Sequence, residues 1–541
     1  DIAQKALDAV AGVDLNRFAV AISRFRLLVA ALQVAGVQRL ADAPDFTIHV
    51  AIGDSLLHGM RFGLSATQDL LGHDQYRDTG LEHAYASEDL AQVQQILSRQ
   101  YHAVVGNPPY IVVKDSALNA AYRARYASCH MKYSLGCPFT ERFFQLAVTG
   151  ERFGTAGFVG LITANSFMKR EFGSKLIEDV LPRLDLTHVI DTSGAFIPDH
   201  GTPTVILLGS HRPPHDDLRS EHNTVRVVMS IKGEPSKPDD PAKGLVWRSI
   251  VDQIDDVGSE SQFVSVADTP RATLSQHPWS IGGGGAADLL EQLNSDHPRK
   301  LSELTSAIGR TTHTGEDAAF FVPLAWGRRL NAASLTVPLV EGDAVRDYQL
   351  DFETCSVFPY ERPDLNALAQ PPAQLAHHFW TMRTPLRARS DYGNNIEVRG
   401  LKWWEHSMFF PDRFRQALGI AYAEVATHNH FALDRGGKVF KQTAPVIKLK
   451  AGSSEDNHTE LLGLLNSSVA CFWLKQVCHN KGGQGINEGL KAEAWERFYA
   501  YNATKVAEFP LPLGRPLALA QRLEQLNQAI ARLAPAALLA A

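Results

Sequence analysis

The first 210 residues alternate between two hydrophobic periods. Residues 46–54 (FTIHVAIGD), 101–106 (YHAVVG), 157–163 (GFVGLIT), 186–192 (LTHVIDT) and 202–210 (TPTVILLGS) are short apolar runs bounded by turn residues, the pattern of buried strands. Between them, residues 23–34, 87–100 and 140–153 carry apolar side chains at helical spacing. Strands alternating with helices predict an α/β fold over residues 1–210: a doubly wound, mostly parallel, Rossmann-like sheet. The last of these runs follows a Pro/Gly loop and could join the sheet antiparallel.

Beyond residue 210 the pattern breaks. HRPPHDD and KGEPSKPDDPAKG are polar and rich in proline, so residues 211–300 read as a linker or insertion, with IGGGG at 281–285 as a flexible joint. Residues 301–515 mix a strand-like run (KVFKQTAPVIKLK) with a helical one (ELLGLLNSSVACFWLKQ), which predicts a second, mixed α+β domain. Residues 516–541 have helical periodicity and read as a packing helix. The composition, 45% hydrophobic and 21% charged, is that of a globular chain. With no apolar run of membrane-spanning length and a first segment unlike a secretory signal, no membrane association is expected. Five cysteines without paired metal-ligand spacing fit a reducing, cytoplasmic setting and predict no metal site.

Charge adds a distribution rather than a sum. The net charge is -6, yet residues 376–450 hold twelve Lys/Arg against six Asp/Glu. Basic residues interleaved with aromatics there, as in GLKWWEHSMFFPDRF, fit either a DNA-facing module or a solvated surface.

The sharpest chemical signal is Asn107-Pro108-Pro109-Tyr110, directly after the run YHAVVG. In open α/β sheets, ligands sit at the carboxyl ends of strands. An aromatic exocyclic amine is a poor nucleophile because its lone pair is delocalised into the ring. Two acceptors aimed at its hydrogens localise that lone pair; the Asn107 side-chain oxygen is one, the Pro108 carbonyl the other. Pro109 restricts Pro108, so that carbonyl is held rigidly. Tyr110 offers a flat face for a base. Two upstream carboxylates fit a nucleoside-like cofactor: Asp14 in AGVDLN as a ribose acceptor, and Asp54 in AIGDSL as an acceptor from an adenine amine. Taken singly, each reads equally as a helix cap or turn residue.

In order, GVDLN, GDSL, GNPPY, KYSLGCPFTERFF, GFVGLITANSFM and AFIPDHGTPTVIL resemble the successive motifs of gamma-class amino-methyltransferases. That class includes type IIG restriction-modification enzymes and the PglX-type methyltransferases of BREX-like phage-defence systems, and the latter resemblance runs over nearly the whole chain. It implies a site-specific DNA adenine methyltransferase that uses S-adenosyl-L-methionine and acts on double-stranded DNA, with other phage-defence proteins as partners. By this resemblance Asp14 binds the cofactor ribose, Asp54 and Ser55 its adenine, and Phe139 packs against that adenine. Asn107, Pro108, Pro109 and Tyr110 hold the target base, with Phe196 stacked on its other face. The Gly-rich loop that approaches the methionine end of the cofactor in this family is absent. The chain therefore reads as starting inside the methyltransferase domain, and residues 1–541 alone are expected to bind the cofactor weakly.

Target recognition is expected in residues 301–515, where 308–321 (IGRTTHTGEDAAFF) is similar to a turn near the start of such domains. Arg383, Arg387, Arg389, Lys402 and, in the Gly-rich stretch 479–487, Lys481 are the candidate DNA contacts. An RNA or protein methyltransferase and a DNA-binding defence subunit with a methyltransferase fold but no independent activity are the competing readings.

Overall fold

The computed structural model describes residues 2–60, 88–151, 154–198, 201–214, 223–329, 333–391, 393–482 and 497–533. They form two compact units dividing at Gly284 and Gly285, within the glycine run expected as a joint. Both residues have positive φ, +67° and +75°, and a side chain there would meet open space.

The first unit begins with α1 (Ile2–Asp8) and β1 (Ala11–Asp14). Asn16 then caps α2 (Arg17–Val34), its side chain accepting from the Phe18 and Ala19 amides at 2.9 and 3.3 Å. β2 (His49–Ile52) returns parallel to β1, with Asp14 opposite Ile52. α3 (Leu90–Leu97) packs Val93, Ile96 and Leu97 against Ala51 of β2. Next come β3 (Ala103–Gly106), α4 (Ser116–Arg125), α5 (Gly136–Leu146), β4 (Phe158–Ala164), β5 (Asp185–Asp191) and β6 (Thr204–Ser210).

β7 (Thr224–Ser230) and β8 (Val264–Pro270) complete a six-stranded sheet of order β3-β4-β6-β5-β7-β8. β3, β4, β5 and β7 share one direction; β6 and β8 oppose it. The sheet is therefore mixed rather than mostly parallel. β6 follows β5 and pairs beside it with no helix between them, so it returns antiparallel, since a parallel neighbour would need a crossover connection. Phe144, Leu161, Val189, Leu207 and Val227 lie at the centre of the core.

Residues 211–300 are not the expected linker. β7 and β8 pair along seven positions, and α6 (Leu245–Gln253) covers them with Val246 and Ile250. The first unit thus runs to Gly284 instead of residue 210. The hydrophobic alternation of β7, with Val225 and Val227 buried, is short and framed by proline-rich polar segments that mask it in the sequence.

The second unit is α+β. One four-stranded antiparallel sheet joins Phe431–Arg435, Leu418–Tyr422, Val446–Leu449 and Thr305–Gly309. Another joins Phe321–Pro323, Thr354–Val357, Thr336–Val340 and Val439–Phe440. Helices Glu455–Leu465 and Ser468–Val477 are separated by Asn466 and Ser467, and Leu517–Arg532 packs as the expected closing helix. Among the described residues no helix is long and apolar enough to cross a membrane, and none of the five cysteines is in a disulfide.

Candidate active site and nucleic-acid interface

β3 ends at Gly106, where a Cβ would stand 2.6 Å from the Phe143 ring of α5, so glycine lets the helix close on the strand end. The chain then turns through Asn107-Pro108-Pro109-Tyr110. Pro108 is buried, Asn107 and Pro109 are exposed, and Tyr110 is half-buried. The Tyr110 hydroxyl donates to Asn107 Oδ1 at 2.6 Å. Burial pushes the Tyr110 phenol up to about 12, so at neutral pH it carries the proton this bond requires. The exit of the loop is pinned by the Leu135 amide, which donates to the Ile111 carbonyl at 2.9 Å.

The parallel register of β1 and β2 brings the two upstream carboxylates to neighbouring strand ends, and the Gly53 amide donates to the Asp14 carbonyl at 3.1 Å. Asp14 is exposed, and its Oδ1 accepts the Asn16 amide at 2.6 Å. Asp54, the expected acceptor from an adenine amine, is enclosed by the chain. It is 4% exposed; one oxygen accepts the Leu56 amide at 2.8 Å and the other a short bond from the Tyr122 hydroxyl of α4. Desolvation raises its carboxyl above the ordinary value, with the Tyr122 bond opposing. Tyr122 joins Asp54 to the helix that follows the tetrapeptide, and the Tyr126 hydroxyl adds a bond to the Leu56 carbonyl at 2.7 Å.

Ser55 is half-buried and its carbonyl accepts Arg142 Nε at 3.0 Å. Arg142, fully buried on α5, also binds the Met60 and His58 carbonyls at 2.7 and 2.8 Å. One guanidinium therefore shapes the whole segment 55–60 beyond β2. Phe139, half-buried one turn before Phe143 on α5, meets it edge-on at 6.0 Å. Phe196 is half-buried in the loop leaving β5, with the Lys237 ammonium 5.7 Å from its ring centre. Because β3 and β5 run the same way, Phe196 and the tetrapeptide lie at the same end of the sheet, with β4 and β6 between their strands.

Tyr122 and Arg142 are not evident as site residues from the sequence. The available signal for Arg142 is that it stands with Glu141 in an otherwise uncharged helix segment, TERFFQL; its partners lie 82 to 87 residues away along the chain. Nothing local marks Tyr122.

In the second unit, the basic segment separates into surface and interior. Arg383 stacks on Trp380, itself 63% exposed, with 4.6 Å from guanidinium to ring. Arg387 and Lys481 are exposed, and Arg387 faces Glu397 at 3.3 Å. Arg389 does not face solvent. It is 6% exposed and donates to the carbonyls of Leu386 (2.9 Å), Trp403 (2.7 Å) and Thr314; burial lowers it to about 10. Lys402 is half-buried, and its ammonium is held by the Leu368 and Ala367 carbonyls at 2.9 and 3.4 Å. These two expected DNA contacts are instead ties between loops, because each head group finds backbone acceptors in a partly desolvated place.

Residues 8–196 match the model of the Eco57I restriction-modification methylase family. The chain is 45% identical, over 99% of its length, to the adenine-specific methyltransferase PglX of Streptomyces coelicolor. The chain is thus similar to a restriction-modification methylase family over residues 8–196 and to an adenine-specific methyltransferase over nearly all of its length. This relative of PglX spans 44% of the length of PglX itself. It is also 24% identical to the type II methyltransferase M.PaeR7I of Pseudomonas aeruginosa, over 41% of this chain and 36% of that one. Its fold resembles the type IIL restriction-modification enzyme MmeI, solved in complex with DNA: TM-score 0.55, 10% identity, 96% of this chain and 57% of that one.

Proposed function

We propose that this chain forms the catalytic and target-recognition body of a site-specific DNA adenine methyltransferase, acting in the cytoplasm in restriction-modification or phage defence. The observation that carries the reading is Asn107 Oδ1, presented at the end of β3 on a proline-stiffened loop and already serving as a hydrogen-bond acceptor. A 6-amino group entering the loop replaces the Tyr110 hydroxyl at that oxygen and gives its second hydrogen to the Pro108 carbonyl. That exchange is complete on binding, so both acceptors are in place before positive charge develops on nitrogen.

An adenine in duplex DNA must leave the stack first, at a cost of a few kcal/mol. Tyr110 and Phe196, at the same end of the sheet, offset it by stacking, roughly 1–3 kcal/mol per aromatic face. S-adenosylmethionine, when bound, supplies the electrophilic methyl group. The exposed carboxylate of Asp14 fits a ribose diol. Ser55 and, through the remaining acceptor capacity of its oxygens, Asp54 are the proposed adenine contacts, with Phe139 as the proposed apolar neighbour. The second unit is the proposed reader of the DNA sequence, and other defence proteins are its proposed partners.

The test is methyl transfer by the full-length protein to duplex DNA, RNA and protein acceptors, with modification-sensitive sequencing of host DNA. Methylated adenine in duplex DNA, lost in Asn107→Ala with DNA binding retained, is the expected result. Unimpaired turnover in that variant would refute the role of Asn107. DNA binding without methylation by the wild type would leave a recognition subunit.

A further inference from the structure

The second unit contains a cluster that the site above does not use. Asp347, His428 and His430 bring one carboxylate oxygen and two imidazole nitrogens within 4.8 Å of one another. His430 Nδ1 pairs with Asp347 Oδ1 at 2.8 Å, and the two imidazole rings lie 4.0 Å apart. We infer that Asp347, His428 and His430 form a binding site for a divalent first-row transition ion of the zinc type.

The backbone around the cluster is fixed from several sides. Asp347 sits in the tight turn between paired strands Val345–Arg346 and Gln349–Leu350, followed by Tyr348 at a φ of +63°. The Tyr348 amide donates to the Phe431 carbonyl at 2.9 Å, which ties this turn to the residue after His430. Asn527, on the closing helix, donates to the Asp347 carbonyl at 2.9 Å. Between the two histidines, Asn429 is 5% exposed and donates to the Leu465 and Ser467 carbonyls. Asn429 is drawn into the interior between them, and the rings on either side of it, His428 and His430, meet at 4.0 Å.

The donor set selects the ion. Two imidazoles and a carboxylate suit zinc, cobalt or nickel; calcium and magnesium prefer oxygen ligands. Ligand atoms about 2.0–2.2 Å from a tetrahedral ion stand about 3.3 Å apart. The His430–Asp347 pair must therefore open slightly from its 2.8 Å hydrogen bond, and the widest pair must close. His428 is exposed, so its side-chain torsions can make that adjustment, and its Nδ1 contact to Thr427 Oγ1 at 3.2 Å leaves Nε2 as its ligand atom. The fourth position belongs to water. The bound ion would clamp the Asp347 turn to the strand Phe431–Arg435 and, through Asn527, to the closing helix.

The experiment is calorimetric titration of the full chain with zinc chloride, alongside cobalt(II) titration followed by visible absorption. Wild type should bind zinc, show the visible bands of low-symmetry cobalt and melt at a higher temperature with metal present. His428→Ala, at an exposed position, should keep its far-ultraviolet circular dichroism. It should lose at least about tenfold in zinc affinity, together with the cobalt bands and the thermal shift. His430→Ala and Asp347→Asn should behave alike. Absence of zinc binding by the wild type, or undiminished binding by His428→Ala and His430→Ala, overturns the proposal.

Discussion

The Tyr110 hydroxyl and its ring do different work, and substitution separates them. Tyr110→Phe removes the bond to Asn107 Oδ1 but keeps the aromatic face. A fluorescent adenine analogue at the target position should therefore brighten on binding as with wild type, while turnover falls because the free Asn107 amide loses its orientation. Tyr110→Ala should weaken base capture as well, by roughly 1–3 kcal/mol. Equal loss of brightening in both variants would assign the hydroxyl, not the ring, to capture. Asp54 makes a separate prediction through pH. Burial holds its carboxyl above the ordinary 3.8, so between these values the folded protein binds more protons than the unfolded chain. The stability this group contributes is full in acid and is lost as pH rises through the folded value. Asp54→Asn should flatten the dependence of the denaturation midpoint on pH in that acid window. An unchanged slope would mean that Asp54 titrates normally.

At the scale of elements, α5 organises the segment that follows β2. Arg142→Lys cannot bind the Ser55, Met60 and His58 carbonyls together, and each charge-assisted bond removed costs about 1.5–3 kcal/mol. The variant should melt earlier and bind S-adenosylmethionine more weakly; normal affinity in a destabilised protein would show that the segment does not touch the cofactor. The same elements show what a sequence reveals. The strands at β3, β4, β5 and β6 are legible because each is an uninterrupted apolar run ending in a turn. The tetrapeptide is legible because its parts are contiguous. β7 is not, since Arg226 and flanking prolines dilute its alternation, and its buried face is defined by pairing with β5 and β8. The helical run 460–476 looks continuous in sequence, yet Ser467 caps a second helix by accepting the Ala470 amide at 3.1 Å. Arg389 and Lys402 resemble surface cations because charge is visible in sequence and desolvation is not.

For the whole molecule, the basic segment 376–450 acts as a mixture rather than a patch. Arg383→Ala with Arg387→Ala should reduce the slope of log affinity for duplex DNA against log salt, by about one for each phosphate no longer neutralised. Arg389→Ala should leave that slope alone and lower the melting temperature, since its partners are three carbonyls of the chain itself. A slope change in Arg389→Ala without loss of stability would reverse this assignment. Another consequence lies in the way the first unit's sheets end. Among the described residues, no strand pairs with β1 opposite β2 or with β3 opposite β4, and Val105 on β3 is 78% exposed. Unpaired parallel edges with a bare valine are templates for another chain. In concentrated solution the protein should self-associate through these edges, and Val105→Lys should keep it monodisperse in sedimentation velocity. The strand that carries Asn107 is thus also where colloidal stability is decided.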